Sequence, residues 1–323
     1  MSTTHPHSPD APEQSICNTL QRCLPPPVLA PFIDNFQLLE ITGAGPLPRL
    51  LPGTGALCCF VSGAPLVVDD VHSAEHRHLS RAFLLCNRHH VLDLAATGPS
   101  RLVLVSFRPG RLRYFSPASF AELQDHITDA ADLWGASASL MAEQLEEAPD
   151  LDACRLRLSA FLSAMLPRPG EARLDLMLDV LYLSPSMRIA DLAAGAGWSM
   201  RHFERMFAST YGVTPKFFAR VARLQQVARK LALEPDCTAG SSALDAGFFD
   251  QSHFIHELDK LAGLSTAEFV RGVRERPHFY NPQARQRYLA LLSDKLGTVS
   301  SGSFRSHNEW LAPLSGQQVS TTR

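Results

Sequence analysis

The chain has 323 residues, 45% of them hydrophobic and 19% charged, with a formal net charge of -2, which is enough for two cores and ordinary for a soluble globular protein. No apolar run reaches the roughly 20 residues of a membrane helix, and the opening MSTTHPHSPDAPEQS has no basic start followed by an apolar stretch, so a cytoplasmic location is expected. Seven cysteines, an odd number without Cys-x-x-Cys spacing, point to reduced thiols and away from a disulfide or zinc framework.

In chain order, residues 1–22 are rich in Ser, Thr, Pro and His and read as a disordered tail. Residues 23–167 read as a β-rich effector and dimerisation domain. LAPFIDNFQLLEI opens it as a helix or a strand, with Leu29, Phe32, Ile33 and Phe36 at helical spacing. The runs ALCCFVSG, PLVVDDV, RAFLLC, HHVLDLA and RLVLVSF are short, β-prone and separated by turn residues, the pattern of a sandwich or small barrel. A closed β domain of this kind is also a plausible small-molecule pocket. Adjacent Cys58 and Cys59 are expected on one strand with one of them in the core, redox sensing being the alternative.

His72, His76, His78, His89 and His90 crowd one stretch, and His76 and His78 share a strand face as metal-binding barrels require. Arg77, Arg81 and Arg88 among them would repel a cation, so no metal and no cofactor is expected. Catalytic motifs are absent too, and the expectation is not an enzyme. From Ser119 helices return, with Leu140 to Leu166 a hairpin broken at Pro149 whose apolar excess suits dimerisation. Residues 168–172, which begin inside Pro167-Arg168-Pro169-Gly170, read as a linker.

Residues 173–276 carry one pattern twice. Ala193, Gly197, Phe203, Phe207, Gly212-Val213-Thr214 and Phe218 are matched by Ala243, Gly247, Phe254, Leu258, Gly263-Leu264-Ser265 and Phe269, with a single one-residue difference in spacing. Each copy reads as a helix, a tight turn at a glycine able to take positive φ, and a second helix. Ser199 caps the second helix of the first copy, Thr214-Pro215 opens a long connecting helix, Asp250 caps its counterpart in the second copy, and Ser265 with Glu268 has capping-box spacing. Two helix-turn-helix units on one long helix have the shape that places helices in the DNA major groove; a plain helical bundle is the alternative. Residues 277–323, rich in Ser, Gly, Gln and Thr toward the end, read as a mostly disordered extension.

The net charge conceals a division. Residues 1–183 hold 13 basic and 20 acidic residues, residues 184–230 hold 8 and 2, and residues 231–276 hold 4 and 8. The first unit is therefore the electrostatic one. Through the strings ADLAAGAGWSMRHFERMF, YGVTPKFFARVARLQQVARKL and AGFFDQSHF, residues 173–276 resemble the AraC/XylS family of bacterial transcription regulators; LAPFIDNF, RLLPGTGALCCF and SFRPG carry a weaker likeness to N-terminal domains of that family.

The resemblance implies an α+β protein: an N-terminal β-rich sandwich or small barrel with flanking helices, then an all-α tandem helix-turn-helix domain. It implies an activator-type regulator that binds double-stranded promoter or operator DNA, responds to a small-molecule effector, meets RNA polymerase and forms a homodimer, with no membrane attachment. On it, Arg201 and Arg205 suit guanine, Glu204 suits cytosine or orients an Arg, Gln251 suits adenine, and Ser199, His202, Lys216, Ser252 and His256 suit phosphate or either base. The second unit departs from the family pattern at Ala239, Ser242, His256 and Asp259, and PDCTAGSS is a poor helix former, so a looser grip is expected there. The competing function is a metal-dependent β-barrel enzyme with an accessory DNA-binding domain.

Overall fold

The computed structural model describes residues 17–69, 76–166 and 172–275. Its β-rich domain contains ten strands among the described residues. β1 (Cys17–Cys23), β2 (Ile33–Ile41), β4 (Leu57–Gly63), β7 (Ala82–Leu85), β9 (Ser100–Phe107) and β10 (Ile127–Asp129) form an antiparallel sheet in the order β1-β2-β9-β4-β7-β10. β3 (Gly45–Pro46), β5 (Leu66–Asp69), β6 (His76–His78) and β8 (Leu94–Ala96) form the second, ordered β3-β8-β5-β6.

Alternation along the strands builds two cores. Cys59, Val61, Phe83, Leu85, Leu102 and Leu104 face the small sheet. Their neighbours Cys58, Phe60, Leu84, Val103, Val105 and Phe107 face a layer of helices. The helices are α1 (Phe120–Leu123), α2 (Ala130–Trp134), α3 (Ala136–Glu146) and α4 (Leu151–Ser163). A sheet covered on both faces needs continuous apolar strands, which is why these runs lack polar alternation. It also corrects the reading of the cysteine pair: Cys58 and Cys59 are both buried, one on each face.

Two further expectations change. Cys17 to Arg22, expected as tail, is part of strand β1, because β2 offers an antiparallel partner from Ile41 back to Phe36. LAPFIDNF splits into a turn, with Leu29 N–H donating to Pro26 O at 3.0 Å, and a strand from Ile33; pairing with β9 overrides the helical spacing. Of the linker expected at 168–172, residues 168–171 lie outside the described residues, as do most of the tail and the extension beyond 276, while Ala172 is the first residue of a helix.

The helical domain comprises α5 (Ala172–Leu183), α6 (Ile189–Gly195), α7 (Met200–Tyr211), α8 (Pro215–Leu233), α9 (Ala239–Asp245), α10 (Gln251–Ala262) and α11 (Thr266–Glu275). α8 belongs to both units. Phe218, Ala219 and Ala222 pack with Phe203, Phe207 and Tyr211 of the first, and Val221, Leu224, Val227 and Leu231 pack with Phe254, Leu258 and Phe269 of the second. α9 forms despite its poor helix formers, because Thr238 and Ser241 make a reciprocal capping box and Ser242 and Ala243 are buried.

The two domains meet over a buried polar clamp. Arg111, 3% exposed, pairs with Asp175 at 2.9 Å and Asp179 at 2.6 Å on α5. Tyr211 donates to Asp175 at 3.0 Å, and the Tyr114 hydroxyl donates to the same carboxylate. Asn87 donates to Tyr211 O at 2.7 Å, and Thr54 donates to Gln225 on α8 at 2.8 Å. Gly110 sits at the seam with φ +70°; a Cβ there would lie 2.5 Å from Tyr211 and 2.6 Å from Leu178.

Candidate nucleic-acid interface

The first unit turns at Gly197, whose φ of +69° is the left-handed conformation expected of it. α7 then starts from Ser199, whose hydroxyl accepts from the His202 N–H at 3.3 Å. Phe203, Phe207 and Tyr211 bury the inner face, which leaves Arg201, Glu204 and Arg205 exposed on the outer one. Trp198 in the turn meets the His202 ring edge-on at 4.9 Å and carries the Arg173 guanidinium 6.0 Å from its centroid. Arg205 Nη2 lies 3.3 Å from His202 Nδ1. A guanidinium can only donate, so Nδ1 is the acceptor in this contact. Arg201, His202, Glu204, Arg205 and the capping Ser199 thus lie together at the start and outer face of α7. Lys216, exposed in the first turn of α8, lies on another helix.

The second unit repeats the geometry with other chemistry. Gly247 has φ +84°, Asp250 accepts from His253 N–H at 2.7 Å, and Gln251, Ser252 and His256 are exposed on α10. The neighbouring outward positions hold Phe249, 87% exposed, Ile255 and Asp259. Apart from Lys260, α10 carries no lysine or arginine.

Structure also revises the charge count. Of the basic residues on α8, Arg220 pairs with Glu257 of α10 at 2.5 Å, and Arg223 donates to Gly247 O at 3.3 Å while lying over Phe248. Lys230 binds Asp245, and Arg229 is buried with its guanidinium on the Tyr182 hydroxyl at 2.6 Å. Half of the first unit's basic residues thus engage partners within the helical domain, Arg220, Arg223 and Lys230 in the second unit and Arg229 on Tyr182 of α5. Arg201, Arg205 and Lys216 remain as the exposed cations on α7 and α8.

Sequence reasoning misses the Arg220–Glu257 pair and the place of Trp198. For Glu257 a signal exists: it stands among Phe254, Leu258 and Leu261 in a buried stripe, where a carboxylate requires a partner. The histidine-rich stretch divides. His72 and the His76 side chain lie outside the described residues, while His89 binds Asp125 at 2.7 Å and packs 4.1 Å from Phe217 of α8.

Residues 192–272 match the family model described as "Helix-turn-helix domain". The HTH-type transcriptional regulator ExsA of Pseudomonas aeruginosa is 28% identical over 103 residues, which are 32% of this chain and 36% of that protein. The match thus spans about a third of the curated relative's length. Among solved structures, ToxT from Vibrio cholerae aligns at a TM-score of 0.46 with 9% identity over 79% of this chain and 99% of that one. Unsaturated fatty acid bound ToxT from strain SCE256 aligns at 0.41 with 11% identity over 72% and 94%. Likeness at that level fixes neither ligand nor activity. Sequence match, paired turn glycines and the shared connecting helix carry the assignment: the C-terminal region of this chain is an AraC/XylS-type tandem helix-turn-helix domain.

Proposed function

We propose that the chain is a sequence-specific DNA-binding transcription regulator whose β-rich domain receives a small-molecule or partner signal. The observation that carries this reading is the pair of matching units on α8, of which the first presents Arg201 and Arg205 outward beside a capped helix start. Both guanidiniums suit the O6/N7 edge of guanine, and Glu204 suits cytosine or orients one of them. Ser199, His202 and Lys216 suit phosphate. Gln251, Ser252 and His256 form the lesser surface, with Gln251 suited to adenine.

Homodimerisation through α3 and α4 belongs to the same reading, supported by Leu140 and Leu156, 54% and 71% exposed on that hairpin. A cytoplasmic site of action, an activator's contact with RNA polymerase and the absence of enzymatic activity follow from the same role. The test is selection of bound sequences from random duplex DNA by the full chain. Recovery of a shared motif at least one helical turn long is expected; recovery of unenriched DNA would sink the reading.

A further inference from the structure

A cavity of about 220 Å³ lies between the two domains. Four arginines line it, Arg49, Arg88, Arg108 and Arg229, together with Asp34. Arg49 is matched by Asp93 at 2.8 Å. Arg229 is 7% exposed and rests on the Tyr182 hydroxyl and ring, while its Nε is enclosed without an acceptor. Arg88 donates to Leu51 O at 2.8 Å, and its Nε likewise lacks an acceptor. Burial pulls the pKa of Arg88 down to about 10, a fall that the nearby Cys86 and Asp125 do not offset.

Buried charges are costly, and the hydrogen bonds of Arg88 and Arg229 go to a carbonyl and a phenol rather than to a carboxylate, while Asp125 offsets the burial of Arg88 only in part. We infer that this cavity binds a small dianionic metabolite, a dicarboxylate or a phosphate monoester, whose two charges complete the site. One water needs only about 10 to 15 Å³ of such space, so the cavity admits a molecule of a few carbons. A smaller cavity of about 40 Å³ between the two β-sheets is lined by leucines, a proline, a phenylalanine and a cysteine, with no charged side chain to meet an anion.

The location gives the site its use. Leu224, Gln225, Ala228 and Arg229 on one wall belong to α8, and the opposite wall belongs to the β-rich domain. A dianion there would bridge the sensing half to the helix that both DNA-binding units share. This last step rests on the regulator reading above; the binding site itself does not.

The experiment uses the full chain in buffer free of phosphate, at ionic strength fixed with sodium chloride. Thermal midpoints are measured with succinate, glutarate, glycerol 3-phosphate and inorganic phosphate, against glycerol and succinamide as neutral counterparts. At least one dianion should raise the midpoint saturably while the neutral compounds do not, and the responding arm names the head group. Arg229→Met should abolish the shift, and Arg229→Lys, which keeps the charge, should weaken binding about tenfold. A wild-type midpoint unmoved by every dianion overturns the inference whatever the variants do, and an Arg229→Met variant that keeps the wild-type response overturns it too. Operator affinity measured in parallel separates the two readings: DNA binding without a dianion response removes the site alone, whereas a response without DNA binding removes the regulator reading and leaves the site.

Discussion

The exposed side chains of α7 and its neighbours differ in what each loss should cost. Arg201→Ala and Arg205→Ala should each weaken binding to the selected operator by about 1 to 3 kcal/mol and relax discrimination at one base pair. Lys216→Ala should weaken all sequences alike and lower the slope of log affinity against log salt by about one phosphate's worth. His256→Ala should cost much less and change that slope less, because an imidazole donates fewer hydrogen bonds than a guanidinium and α10 carries a single lysine or arginine, Lys260. Titration of labelled operator at several salt concentrations reads all four, and equal losses at His256 and Arg205 would show that both units read DNA alike. Thiol chemistry gives a second prediction for individual side chains. Burial pushes Cys58 and Cys59 up strongly and Cys86 up to about 12, so none supplies thiolate at neutral pH. A disulfide-exchange reagent should leave these three unmodified in the folded protein and reach them once it is unfolded; prompt native labelling of Cys58 or Cys59 would restore the redox alternative.

Among the helices and strands, the helical half is readable from sequence because its signals are local. Glycines, N-caps and four-residue apolar spacing act within one turn, so Gly197, Ser199, Thr214 and Asp250 take the conformations and hydrogen bonds expected of them. The β half is readable as runs, but its pairing depends on partners far along the chain. Cys17–Cys23 becomes a strand only because β2 lies beside it, and LAPFIDNF yields its helical spacing to β9 for the same reason. The candidate interface is legible to the same extent: outward Arg201 and Arg205 follow from the stripe opposite them, whereas the use of Arg220, Arg223 and Lys230 as internal ties depends on tertiary neighbours. Glu257→Ala tests one such tie. It strands Arg220, about a quarter exposed, so a loss of about 1 to 3 kcal/mol is expected, smaller than for a fully buried pair. Chemical denaturation should show it, and a variant as stable as the parent would mean that Arg220 finds water instead.

For the molecule taken entire, the clamp of Arg111 on Asp175 and Asp179 makes docking of the domains depend on buried charges that are individually costly. Arg111→Met should therefore destabilise by about 3 to 5 kcal/mol, because Asp179 loses the Arg111 guanidinium while Asp175 keeps Arg113 at 2.8 Å, and Asp179→Asn in the same chain, which removes the extra negative charge, should recover part of the loss. Calorimetry of the single and double variants decides; additive losses would show that Arg111 and Asp179 do not act as a unit.

The connecting helix also constrains how such a protein can change over evolutionary time. α8 has 19 residues, a length of about 28 Å at roughly 1.5 Å per residue, and its opposite ends are packed into different cores. Inserting one residue at its centre would turn the second unit by about 100° about the helix axis as well as moving it about 1.5 Å. On the function proposed above, with both units on one duplex, the two reading heads would then point to different sides of it. Drift in the distance between recognised half-sites cannot be followed by single insertions in this helix, and only steps near a full turn, about three or four residues, keep both heads on one side. Operator spacing is thereby inherited as a phase.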